Sequence, residues 1–242
     1  MKKMMYMFLV VLLCFPTVTF AAKKAKYEVI EVANGGSIKG KAVFVGATVP
    51  KDETLTLTSE TDLCGKTLPA RKYVINGNKE IKNVVVYLAD IKSGKKIPNE
   101  PVVINNILCA FEPHVAVGFR VKGNKVLIKN SDPVFHNTHT YIKGRTTFNL
   151  GLPDKGTKIE KALRKSGLMS VKCDSHPWML GYVYIFKHPY AVVTNENGEF
   201  SVSDIPPGSY EVKAWHEGFG EISLGKVTVD AGKTAMVNAE FK

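Results

Sequence analysis

The string CDSHPWM at residues 173–179 brings a thiol, an imidazole and a thioether within seven residues, and HNTH lies upstream at 136–139. A thiolate, two imidazoles and a weak thioether are the donor set of a mononuclear blue-copper electron-transfer centre. The Cys-x2-His-x2-Met spacing puts three donors on one tight loop between the apolar runs LMSVKC and GYVYIF. A fourth donor must come from elsewhere, and His136 follows another apolar run, KVLIKN, and the turn SDPVF. The expected ligands of one type 1 copper are therefore His136, Cys173, His176 and Met179. Cys173 gives the strong covalent bond, the two imidazoles complete a near-trigonal plane, and Met179 is the long axial contact that tunes potential. Asn137, beside His136, is placed to hydrogen-bond across to the ligand loop.

Other chemistries fit less well. Cys173 as a nucleophile with His176 lacks a third orienting group and an oxyanion donor. Structural zinc wants several thiolates or a Cys2His2 set, and a dinuclear copper centre would need a second cysteine in the loop. A buried free thiol, or a bridge from Cys173 to Cys64 or Cys109, stays open. On a strand, His139 faces away from His136, which makes it an exposed or partner-facing histidine. His114 reads as structural. His188 and His216 lie in the tail, where a second metal site with Glu217 is the rival to simple packing. Pro133, Phe135, Pro177 and Trp178 form an expected apolar rim around His176, with His176 itself as the electron gate near the surface.

Cysteine arithmetic adds a constraint. Residues 1–21 read as an export signal, with Lys2 and Lys3 before the apolar core MFLVVLLCF and small residues at Thr19 and Ala21. The run is too short for a stable membrane span, and the expected location is periplasmic or extracellular. Of the four cysteines, Cys14 falls in that segment, leaving three in an oxidising compartment. Cys64 and Cys109 lack neighbouring ligands and make the natural disulfide. In the loop-entropy treatment that bridge contributes about 4 kcal/mol.

The formal charge of +11 becomes +9 without Lys2 and Lys3, which favours anionic partners, an acidic protein, a lipid surface or nucleic acid, with a generically solvated basic surface as the plainer account. The lysines are scattered apart from KKAK at 23–26, and an exported chain rarely meets nucleic acid, so none is expected here.

The remaining sequence alternates in strand-length runs: 37–45, 83–89, 115–121, 125–130, 168–173, 181–186, 198–205, 209–215 and 225–230. Turn signals such as Gly123-Asn124, Asn197-Gly198 and Pro206-Pro207-Gly208 separate them. Such spacing predicts an all-β protein of sandwiches. Only IEKALRK, 159–165, offers a helical turn.

Two family resemblances attach to these strings. The block 101–187 resembles a cupredoxin, a Greek-key β-sandwich. Its short ligand loop is most similar to that of amicyanin, and NSDPVFHNTHTY resembles the Asn-Pro-His-Asn-x-His region of that family. The resemblance implies the same four ligands. Two departures are Trp178, where amicyanin has phenylalanine, and Pro133, separated from His136 by Val134 and Phe135. From 188 to 242, TNENGEF, PPGSYEV and the glycines at 218 and 220 resemble carboxypeptidase regulatory-like domains, small transthyretin-like sandwiches. Those domains usually open with strings like GGSIKGKAV at 35–43 and NVVVYLA at 83–89. The segment 22–100 can therefore supply first strands of that sandwich, with the copper block inserted, or stand as a third consecutive piece. The combination is similar to proteins loosely labelled methylamine-utilisation-like.

These readings imply an exported type 1 copper protein that passes single electrons between redox partners, an acidic cytochrome or dehydrogenase among them, and turns over no substrate. A periplasmic copper carrier with the same ligands and a docking module of a redox complex are the rivals.

Overall fold

The computed structural model describes residues 26–242. The export-signal segment, Cys14 within it and residues 23–25 of the basic arm lie outside them. Among the described residues regular structure is almost entirely β, the exception being the single helical turn Thr61–Cys64. The run at 159–165 does not form a helix. Its first part is the strand Lys158–Ala162, antiparallel to Lys125–Asn130 with Ile159 opposite Ile128. Ile159 packs against the core while Lys158 and Glu160, on the other face of the strand, stay in water, and Lys161 is exposed as well.

The strands make two sandwiches, each with its own core. In one, Ala191–Val193, Val85–Leu88, Gly208–His216 and Gly220–Val229 form the first sheet. Glu199–Ile205, Gly36–Phe44 and Thr234–Met236 form the second, with Ala239–Phe241 also paired to Gly36–Phe44. Early and late parts of the chain thus share one core. Ile38, Ala42, Val86 and Leu88 pack with Val202, Ile205, Val212, Ala214 and Phe241. Gly36–Phe44 is built for this, since Ile38, Ala42 and Phe44 point inward while Lys39 and Lys41 point out.

The block between them makes the other sandwich. Lys158–Ala162, Lys125–Asn130, Val102–Ile107 and Ala110–Glu112 form one sheet. Arg145–Leu152, His136–Ile142, Gly167–Lys172, Leu180–Phe186 and Val115–Phe119 form the other. Its core gathers Ile104, Phe111, Val126, Ile128, Met169, Val171, Val183 and Ile185, and it continues into Cys173 and Met179 at one end.

The two sandwiches meet through outward faces. Along Leu180–Phe186, Val183 and Ile185 face their own core, while Tyr182, Tyr184 and Phe186 face Trp215, Tyr87 and Val85 of the other. Trp215 meets Tyr182 at 5.3 Å between ring centroids, in the edge-to-face geometry aromatic pairs favour. Val85–Leu88 is buried at all four positions because both its faces are covered.

Cys64 and Cys109 form a disulfide, with Cα atoms 5.5 Å apart, and Cys173 is the free cysteine among the described residues. The bridge ties the helical turn Thr61–Cys64 and the small ladder of Thr54–Thr56 with Thr67–Pro69 to the inserted sandwich.

His216 ends its strand in the first core, stacked on Phe219 at 4.8 Å, where Nδ1 accepts the Gly218 N–H at 3.2 Å. Burial, with His114 and Lys72 nearby, lowers its pKa from 6.5 to about 4. The unfolded chain protonates this ring near 6.5 and the folded chain only near 4. The unfolded state therefore takes up the proton first, and the stability from this residue is complete above about 6.5 and lost as the pH falls toward 4. His216→Phe should flatten that acid limb by up to about 3 kcal/mol in urea titrations run at several pH values. An unchanged limb would place the acid sensitivity elsewhere.

Candidate metal centre

Two loops at one end of the inserted sandwich converge. His136 opens the strand His136–Ile142, and Cys173 follows the adjacent antiparallel strand Gly167–Lys172, in which Lys172 pairs with His139. The loop leading into His136 is pinned by Asn130, whose amide donates to the Val134 carbonyl at 2.9 Å and the Leu152 carbonyl at 3.1 Å. The ligand loop closes as a tight turn, with the Met179 N–H on the His176 carbonyl at 2.9 Å, before the chain enters Leu180–Phe186.

The thiol and both imidazoles meet there. Ligand atoms of His136, Cys173 and His176 all lie within 4.8 Å of one another, and all three residues are buried. The two Nδ1 atoms are 3.0 Å apart, and Cys173 Sγ is 3.5 Å from His176 Nδ1. Met179 is buried in the same core cluster as Cys173.

Electrostatics suits soft-metal donors. Burial keeps His136 neutral, lowering its pKa despite the opposing pull of Asp132. Burial and the neighbouring His136 lower that of His176. Burial pushes the Cys173 thiol up, despite hydrogen bonds from the Asn137, His176 and Ser175 backbone that favour its anion. Neutral rings offer lone pairs, and a bound cation would draw the thiol proton off. A soft sulfur with two imidazoles fits copper and not a hard, oxygen-seeking cation.

Asn137 is the fastener between the loops. Its Oδ1 accepts the Asp174 N–H at 2.7 Å and the Ser175 N–H at 3.3 Å, while its own N–H points at Cys173 Sγ at 3.4 Å. Its amide donates to Asp174 at 2.9 Å. On the outer face His139 also meets Asp174, at 3.0 Å, and Tyr141 stacks on it. Burial acts to raise the Asp174 pKa, but bonds with His139, Asn149 and Asn137 outweigh it and hold the carboxyl low. His139 is thus a partner of the loop's carboxylate and lies outside the donor cluster.

The other histidines stand apart from this cluster. His114 pairs with Glu217 in a buried contact, and neither His188 nor His216 joins a metal-ligating group of three among the described residues.

Exposure around His176 differs from expectation. Pro133, Phe135 and Pro177 are exposed, but His176 itself is only 3% exposed, lying beneath this rim and not on it. The Trp178 ring covers it at 5.1 Å and donates Nε1–H to the Cys109 carbonyl at 3.2 Å. Leu57, Leu63, Cys64 and Leu68 pack around Trp178, so the bridged segment seals this side. Nothing local in the sequence marks that cover, because it depends on a contact between residues far apart in the chain.

Asp132 was legible only as a turn residue. In the structure its Oδ2 lies 3.0 Å from His136 Nε2, accepting that N–H and leaving Nδ1 free toward the cluster. An aspartate four residues before a ligand histidine was the one available signal.

Residues 183–242 match the carboxypeptidase regulatory-like domain family. That match starts inside Leu180–Phe186, a strand belonging to the other sandwich. Among solved structures, a purple cupredoxin from Nitrosopumilus maritimus is similar at 24% identity, covering 35% of this chain and 98% of that one, with a TM-score of 0.30. A reduced amicyanin variant is 20% identical over 37% of this chain and 86% of its own, at 0.31. A copper-containing nitrite reductase from Thermus scotoductus SA-01 is 19% identical over 42% of this chain and 25% of that one, at 0.30. No curated protein matches the chain in sequence.

Asn137→Ala should strip the acceptor from the Asp174 and Ser175 amides. The expected loss is about 1–3 kcal/mol in urea unfolding of the metal-free protein. A variant as stable as the parent would show that the ligand loop holds its shape unaided.

Proposed function

We propose that this protein holds one type 1 copper and passes single electrons between redox partners in an exported compartment. The observation that carries the reading is the buried convergence of Cys173 with two neutral imidazoles, His136 and His176. Copper bound there would cycle between Cu(I) and Cu(II), and a donor set fixed by strands and Asn137 would keep the rearrangement small. Met179, buried in the same core cluster as Cys173 at the end of the turn, would be the weak fourth donor that tunes potential.

A hydrolytic or transfer role is less well supported. Nucleophilic cysteines have lowered pKa values in electropositive, partly exposed settings, whereas Cys173 is buried with its pKa raised. A copper carrier would use the same donors. The cover over His176 favours retention over exchange, and so favours the shuttle. With a formal charge of +9 once Lys2 and Lys3 leave with the export segment, an acidic redox protein is the proposed partner, steered in by attraction that salt screens. The exposed Pro133, Phe135 and Pro177 are its proposed contacts.

Cu(II)-loaded protein should show an intense thiolate charge-transfer colour that Cys173→Ala abolishes. Met179→Gln should lower the reduction potential and Met179→Leu raise it. A colourless wild-type chain holding one Cu(II) would remove the type 1 assignment. Potentials unchanged from wild type in both Met179 variants would mean that another residue supplies the fourth donor.

A further inference from the structure

The contact between Asp132 and His136 is one end of a longer connection. Asp132 is 3% exposed, and a carboxylate taken out of water must be satisfied by donors. Three supply it. The Leu108 N–H reaches Oδ1 at 2.7 Å, the Cys109 N–H reaches Oδ2 at 2.9 Å, and His136 Nε2 meets Oδ2 at 3.0 Å. Leu108 and Cys109 are the two central residues of the turn joining Val102–Ile107 to Ala110–Glu112, whose flanking residues Ile107 and Ala110 pair.

That turn is an unusual choice of residues. Both have left-handed backbones, with φ of 49° and 57°. A two-residue hairpin turn with positive φ at both positions normally takes Asn-Gly or Gly-Gly. Leucine and cysteine are strained there, because a left-handed backbone brings Cβ too close to the following carbonyl oxygen. Strain of this kind persists when the surroundings over-determine it, and it clusters at functional sites. Here the surroundings are identifiable. The Cys64 bridge holds Cys109, Trp178 Nε1–H holds its carbonyl, and Asp132 holds both amides.

We propose that Asp132 is a positioning residue for the metal centre and that the Cys64–Cys109 bridge sets it, through the strained turn Leu108–Cys109. The inference rests on the copper reading above and extends it to a contribution from outside the ligand loops. The bridge fixes the turn, and the turn's two amides fix the carboxylate. The carboxylate holds the proton of His136 on Nε2, so that Nδ1 faces Cys173 and His176. Removing the bridge lets the turn relax to ordinary backbone angles. Its amides then swing away, and Asp132 loses two of its three donors.

The test compares full-length wild type, Asp132→Asn and a Cys64→Ser/Cys109→Ser double variant. The double change avoids leaving an extra thiol to compete for copper. In metal-free protein, 15N NMR of the His136 ring should find Nε2 protonated and Nδ1 bare in wild type. Both variants should shift toward a tautomer mixture. Cu(I) affinity, by competition with bicinchoninate, should fall about 10–100-fold in Asp132→Asn, the usual cost of losing a group that orients a ligand. In the double variant it should fall in the same direction by a smaller factor. Wild-type tautomer and affinity in Asp132→Asn would overturn the positioning role. Wild-type values in a folded double variant would overturn the link to the bridge. Should Asp132→Asn not fold, the double variant decides the proposal by the same two readouts. A wild-type chain that takes up no copper removes the copper reading, and the ring tautomers of the metal-free proteins then decide the Asp132 proposal independently.

Discussion

Desolvation of one thiol and two imidazoles is the constraint on which the rest of this end of the molecule depends. Three polar donors within 4.8 Å of one another in an apolar core lose water that could otherwise solvate them. Burial drives both rings neutral and the thiol toward its protonated form. These donors contact one another, the two Nδ1 atoms at 3.0 Å and the thiol at 3.5 Å from His176, with Asn137 against the thiol and Asp132 against His136. The same desolvation strengthens any interaction between these donors and a soft cation, because little competing dielectric remains.

The neighbouring elements follow from the need to keep that arrangement dry and fixed. Asn137 and Asn130 take the backbone groups of two irregular loops that would otherwise be unsatisfied. Trp178 and the apolar residues of the bridged segment exclude water from the side of His176. The other sandwich reaches the inserted one through Tyr182, Tyr184 and Trp215, on a sheet face opposite the core that contains Cys173. It braces the sheet without entering the donor cluster.

What the sequence made legible was what is local or periodic. The seven-residue string 173–179 carries its donors on one turn, so its chemistry could be read without a fold. The alternation of Ile38, Ala42 and Phe44 with Lys39 and Lys41 marked a half-buried strand, and nine such runs were visible. Arg145–Leu152 was less visible because its sequence, RTTFNLGL, mixes polar residues on a largely exposed edge strand. Lys158–Ala162 read ambiguously since its two apolar residues, Ile159 and Ala162, stand three apart, a helix-like spacing in place of a strand's period of two. The cover over His176 and the role of Asp132 depend on contacts with residues 57–68 and 108–109, and no local spacing announces those. Cysteine arithmetic came nearest, because it pointed to Cys64 and Cys109 as partners without saying what their bridge would hold.

The central claim is that sulfur and two imidazoles bind one copper together. X-ray absorption at the copper edge of the loaded wild-type protein reads those neighbours directly. The account predicts one short sulfur scatterer from Cys173 and two imidazole nitrogens, with the sulfur lost in Cys173→Ala. A first shell of oxygen and nitrogen alone, unchanged by that substitution, would contradict it.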